Sequence, residues 1–239
     1  MKISETLFRF RSWVLTVLVV FGFWSPWERA GGTTWLFLAG ALARYGILSI
    51  GNASIAVMAI AILLALLAAL LRTWAAAYLG RGVVQGRALY GERVVADGPY
   101  RFLRNPLYLG LGMNVLALSI LMPPSGALFA IVAVALLNIA LIHAEERHLR
   151  AERGQAYTAY RKAVPRLIPA LTPRVPGGET KPNWGSGFLG EIYFWGVAIT
   201  YFAFAGRYNA TILEQGVLIS LGVGVLTQSV LRPGDTARA

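Results

Sequence analysis

Two adjacent carboxylates, Glu145 and Glu146, close the apolar run 125–143, with His143 just before them. Acidic side chains at a membrane boundary are costly unless paired or hydrated, so this pair calls for cations or hydroxyl donors beside it. A second polar cluster opens the apolar run 107–122: GPYRFLRNPLYLG, 98–110, carries Tyr100, Arg101, Arg104, Asn105 and Tyr108 and leads into a Gly110-x-Gly112 step. Only PPSG separates the two runs, which forces an antiparallel helical hairpin. Arg104 to Gly112 and His143 to Glu146 are therefore expected side by side at one mouth of a helix pair. Part of the first cluster is structural: Asp97-Gly98-Pro99 reads as a turn, and Pro106 suits the first turn of a helix, where its missing N–H costs little. Arginines and tyrosines at such a place also serve as interfacial anchors, and glycines as packing sites. The convergence of two polar clusters is what favours a site.

The elements that position these residues are helices in a membrane. The chain has 239 residues, 56% of them hydrophobic and only 14% charged. Its mean hydropathy is +0.58. Runs such as SIAVMAIAILLALLAALL, 54–71, are apolar on all sides, which suits a spanning helix and not the alternation of a barrel strand. The expected fold is all-α, a polytopic membrane helical bundle with a cytosolic helical cofactor-binding cap. Apolar stretches at 12–27, 34–50, 53–79, 107–122, 125–143, 188–206 and 210–231 predict six or seven spans. There is no cysteine, so disulfides and thiolate chemistry are excluded, and two histidines leave no metal-ligand spacing. No nucleophile-elbow motif surrounds a serine or threonine.

Net charge is +11, from 22 Lys and Arg against 11 acids. In a membrane protein such a surplus marks cytoplasmic loops beside anionic headgroups more readily than a nucleic-acid surface. The stretches 80–106 and 144–187 hold most of it, which places the mouth on the cytoplasmic side. Lys2, Arg9 and Arg11 ask for a cytoplasmic N-terminus as well, and three spans before residue 80 would contradict them unless one early segment is re-entrant. The chain divides into N-terminal transmembrane helices (1–79), a core of hairpin plus cytosolic helix (80–171), a Gly/Pro-rich linker (172–187) and a C-terminal transmembrane hairpin (188–239). Along the cytosolic helix, Glu146, Arg150, Tyr157 and Arg161 recur by four, seven and four residues on one face, which a solvated helix with surface ion pairs would also show.

GPYRFLRNPLYLG, followed after a hairpin by EERHL, GQAYTAY and VPRLIP, resembles the isoprenylcysteine carboxyl methyltransferase and phospholipid methyltransferase superfamily of integral membrane enzymes. The likeness covers about 92–170. It implies S-adenosylmethionine as cofactor and a lipid or lipidated small molecule as substrate, with the active site facing the cytoplasm, in a bacterial inner membrane. Carried onto this sequence, it implies that Tyr100, Arg104, Asn105, Pro106, Tyr108, Gly110, Gly112, Glu145, Glu146 and Tyr157 bind the cofactor, the glycines by allowing close backbone approach. Glu145 and Glu146 would meet its ammonium, ribose or sulfonium; Arg161 and Arg166 would close over its carboxylate or orient an acidic acceptor. Glu145, Glu146, Arg161 and Arg166 are thus the candidate catalytic residues. Asn105 stands where the family often has histidine; it can donate and accept hydrogen bonds but cannot carry a proton. An NADPH-dependent membrane reductase of the steroid-reductase type is the rival enzyme, its phosphates met by the arginines of 147–166. A small transporter or scaffold is the non-enzyme alternative, for which the polar residues of the spans are too scattered.

Overall fold

A computed structural model of the protein describes residues 2–25, 27, 32–79 and 96–230, without the side chains of 2–9. Arg81, Arg87 and Arg93 of the basic stretch lie outside the described residues. The described elements are all helical: α1 Lys2–Trp24, α2 Thr34–Arg44, α3 Ile50–Leu79, a 3-10 turn Gly98–Arg101, α4 Pro106–Ser119, α5 Pro124–Ala163, α6 Trp184–Gly190, α7 Ile192–Phe204, a second 3-10 turn Ala205–Arg207 and α8 Ala210–Val230.

α3 forms the spine. Its residues are apolar all round but sorted by size: Ala53, Ala61, Ala65, Ala68, Ala69, Ala75, Ala76 and Ala77 are buried, while Ile55, Ile60, Leu63, Leu67 and Leu70 point outward. Lipid tails are as apolar as leucine, so what gains by turning inward is the small side chain that lets backbones approach. The same rule packs α7 against α8, where Gly196 meets Ser220, Gly216 meets Thr200 and Gly224 meets Tyr193.

α3, α5 and α8 are long and apolar enough to cross a membrane, and α6 with α7, bent by 69° at their junction, makes a fourth if counted as one broken span. The protein is an integral membrane protein, and of the seven stretches expected to span, 34–50 does not. Hydropathy reads apolar length without seeing where a helix stops. The run 34–50 breaks after Arg44, leaving an α2 of 11 residues, about 16 Å long and too short to cross. α4 has 14 residues, and α1 has 23, of which Phe10–Trp24 are described with their side chains.

α2 instead packs at the far end of the bundle. The backbone N–H groups of Thr34 and Trp35 donate to the carbonyls of Met122 and Ile120, and the Thr34 hydroxyl donates to Met122 as well. These carbonyls belong to the turn between α4 and α5, which turns back through PPSG as expected, with Pro124 at the start of α5. α1 runs antiparallel to α5: Gly22 abuts Gly126 and Ala130 near the turn, and Val14, Leu15 and Leu18 pack against Leu137 and Leu141. The start of α1 thus lies at the same end of the bundle as Arg104 and Glu146. Once 34–50 no longer crosses, the conflict over the N-terminal charges disappears.

α5 has 40 residues, about 60 Å, and overshoots the hydrocarbon. At Gly154 its backbone turns (φ 50°, ψ −120°), a conformation that suits glycine, and the last turns swing across the mouth. There Tyr157, Tyr160 and Val164 pack with Ala96, Leu149 and Val175. Beyond α5, residues 165–183 are stitched to the mouth by main-chain bonds. Arg104 N donates to Pro165 O, Ala170 N to Phe102 O, Arg174 N to Arg101 O and Asn183 N to Ala77 O. Buried Asp97 accepts from the amides of Gly178 and Thr180. Burial pushes the Asp97 carboxyl up, but hydrogen bonds from Thr180 and Gly178 and the charge of Arg101 outweigh it and hold it below the ordinary aspartate value. A lowered folded-state pKa stabilises above the ordinary value and fails only as pH falls through the lowered one, below about 4. At pH 7, Asp97→Asn is expected to loosen the segment and speed tryptic cleavage after Arg174 several-fold, as read by mass spectrometry, with little change in the wild-type rate between pH 5 and 8 once trypsin's own pH dependence is corrected for.

Candidate active site

Glu146 is the centre of the mouth. It is 4% exposed and lies among three arginines. Arg166 grips it with both arms, Nη2 to Oε2 at 2.8 Å and Nε to Oε1 at 3.2 Å. Arg104 Nη1 lies 3.0 Å from Oε1, and Arg161 Nε lies 3.9 Å from Oε2. Asn105 Nδ2 donates to Oε1 at 3.5 Å and to the carbonyl of Arg166 at 3.1 Å. One carboxylate against three guanidinium groups leaves a net positive charge, so the cluster as a whole is suited to an anion.

Glu145, on the next position of α5, has different surroundings. The hydroxyl of Tyr108 donates to its Oε2 at 3.0 Å. Arg11 of α1, Glu146 and His148 are its charged neighbours. Two consecutive carboxylates thus separate into roles: Glu146 is locked among arginines, and Glu145 keeps acceptor capacity for a cation or a proton. His143 accepts at Nε2 from Arg166 Nη1 at 3.3 Å, and its Nδ1 donates to the carbonyl of Ile139 at 2.7 Å.

Beside Glu146, the buried hydroxyl of Tyr100 and Nε of Arg104 have no hydrogen-bond partner among the described residues, and Nη1 of Arg104 has only its ion-pair contact with Glu146. The carbonyl of Tyr100 is occupied, accepting from the Tyr160 hydroxyl at 2.8 Å. Tyr157 is buried beside Arg104 and Glu146. The local fold explains these positions. Pro106 starts α4, and Asn105, the residue before it, makes no side-chain cap; its amide turns to Glu146 instead.

The structure brings together Tyr100, Arg104, Asn105, Tyr108, Glu145, Glu146, Tyr157, Arg161 and Arg166. Gly110 and Gly112 do not join them in the way expected. A Cβ at Gly110 would lie 2.5 Å from Cγ of Arg72 on α3, so the space is filled by the neighbouring helix, and Gly112 has nothing within 4 Å of such a Cβ. Arg150, one helical turn beyond Glu146 and before the turn at Gly154, lines a surface groove with Gln155, Thr158 and Lys162. Gly110→Ala is expected to displace Arg72 and lower stability by about 1–3 kcal/mol, measurable as a drop in melting temperature in detergent.

Two sets of polar residues stand out that the sequence patterns did not single out as a site: Arg11 of α1, and the pair Arg72 and Glu191. Arg72 was findable as a lone charge within the apolar helix Ile50–Leu79, a position that costs energy unless partnered. Its partner is 119 residues away, with no local signal to connect them.

No curated protein and no solved structure matches the chain. Residues 56–155 match the family model for phospholipid methyltransferases. The match takes in most of α3, all of α4 and α5 past Gly154, and with them Tyr100, Arg104, Asn105, Tyr108, Glu145 and Glu146; Tyr157, Arg161 and Arg166 lie just beyond its end. Over this segment, the chain is similar to the phospholipid methyltransferases.

Proposed function

We propose that the protein is an S-adenosylmethionine-dependent methyltransferase acting on a lipidic or amphiphilic acceptor, a carboxylate or an amine, at the cytoplasmic face of a bacterial inner membrane. The observation that carries this reading is the meeting of Glu145 and Glu146 with Arg104, Asn105 and Tyr108 at one mouth of the hairpin. Charge supports the cytoplasmic orientation: Arg101, Arg104, Arg161, Arg166 and the arginines of outer α5 gather at that end.

The residues fit the cofactor. It joins a carboxylate to an ammonium, a ribose and a sulfonium, and the mouth offers a counterpart to each. Arg104, Arg161 and Arg166, with one of their three charges met by Glu146, suit the carboxylate, and Arg104 Nε and the Tyr100 hydroxyl are buried donors with capacity to spare. Glu145 suits the ammonium or ribose hydroxyls. When bound, the cofactor supplies an electrophilic methyl group open to in-line displacement. The chain's part is then alignment and exclusion of water, for which helices packed on three sides and the cross-stitched segment 165–183 are adapted. For an amine acceptor, Glu145 is the group placed to take a proton; a carboxylate acceptor needs none.

Transfer of labelled methyl to a panel of lipids, prenylated thiols and small amines tests the acceptor. With an amine, the rate is expected to rise with pH as the acceptor loses its proton, and Glu145→Gln to lower it by about 10²-fold or more. With a carboxylate, the rate is expected to be flat between pH 6 and 8 and far less sensitive to Glu145→Gln. No transfer to any lipidic acceptor would count against the reading.

A further inference from the structure

Arg72 sits within α3, surrounded by apolar helices, and every arm of its guanidinium is used. Nε and Nη2 donate to the two oxygens of Glu191 at 2.6 Å and 3.1 Å, Nη1 donates to the carbonyl of Leu107 at 2.8 Å, and the group lies over the Phe194 ring, 4.1 Å from its centre. Glu191 is 1% exposed and occupies the junction where α6 and α7 bend by 69°. It comes from the C-terminal part of the chain, outside the matched residues 56–155.

A buried ion pair is a weak source of stability, since well-packed apolar residues often do as well. What distinguishes this one is its third bond. Leu107 is in the first turn of α4, next to Tyr108, and that turn has no side-chain cap because Asn105 is committed to Glu146 and Arg166. One turn further on, Gly110 rests on the Cγ of the same arginine. Arg72 therefore touches α4 at two successive turns. Slipping α4 by one residue would rotate it by about 100° and take the Tyr108 hydroxyl away from Glu145.

We propose that Arg72 and Glu191 are positioning residues, through which the C-terminal helices hold the first turn of α4 in the register that presents Arg104 and Tyr108 to Glu146 and Glu145. This rests on the methyltransferase reading for its effect on cofactor binding, though not for its effect on α4.

The test is the full chain in detergent with Arg72→Met and Glu191→Met combined, which removes the pair without leaving a lone charge. The expected result is amide hydrogen exchange across 106–112 at least 10-fold faster, exchange in α3 and α7 unchanged, and S-adenosylmethionine affinity at least 10-fold weaker. Wild-type exchange across 106–112 in the folded double variant would overturn the proposal. If the double variant does not fold, Glu191→Asp, which keeps the charge on a shorter arm, decides: faster exchange across 106–112 supports the proposal and an unchanged rate overturns it. If the wild type itself shows no affinity for S-adenosylmethionine, the functional reading fails, and the exchange comparison still decides the positioning role.

Discussion

Glu146→Ala is expected to abolish measurable S-adenosylmethionine binding, a loss of at least 10²-fold in affinity, while the protein still folds into a membrane-embedded bundle. Removing the carboxylate leaves Arg104, Arg161 and Arg166 facing one another at the mouth with no anion between them. Arg166 and Arg161 are about a third exposed on their side chains and can swing toward water, which spares the fold and dismantles the site. Arg104, 9% exposed, cannot, and its displacement takes Asn105 and the start of α4 with it. Arg104→Ala is therefore expected to give the same binding defect, and equilibrium dialysis with labelled cofactor would measure both. Glu145→Gln, which keeps the hydrogen bond from Tyr108, is expected to weaken binding less.

Glu191→Ala is expected to have the largest effect on stability. It strips a guanidinium of its carboxylate within the apolar interior, where breaking one side of a buried pair costs about 3–5 kcal/mol. The remaining bond to Leu107 and the contact with Phe194 do not replace that charge. A fall of many degrees in melting temperature in detergent, with loss of monodisperse protein, is the outcome to look for. Little change would mean that Arg72 reaches water or another acid in solution, and that the C-terminal helices pack without it.

What was legible in the sequence is what short-range chemistry dictates. The PPSG turn made α4 and α5 antiparallel neighbours, and that one inference set Arg104, Asn105 and Tyr108 opposite Glu145 and Glu146, as the structure has them. The helical character and membrane setting followed from apolar runs in the same way. What was not legible depends on tertiary partners or on backbone dihedrals. The ending of α2 at Arg44 is a matter of a few turn residues inside an apolar run, and it removed a span. The turn at Gly154 set the direction of Tyr157 and Arg161 relative to Glu146 and Arg150, which spacing along a straight helix does not specify. Gly110 was expected to serve a ligand because glycines in a polar cluster allow close approach; the approach is real, but it is made by Arg72. The match to phospholipid methyltransferases over 56–155 agrees with this division, since it spans the hairpin and stops short of Arg166 and Glu191.

The central claim is that this mouth binds S-adenosylmethionine, and isothermal titration calorimetry of the folded wild-type protein in detergent tests it most directly. Saturable binding of S-adenosylmethionine, absent in Glu146→Ala and with no binding of NADPH, is the result expected. Saturable binding of NADPH with none of S-adenosylmethionine would contradict the account and turn the arginines of the mouth into phosphate ligands of a reductase.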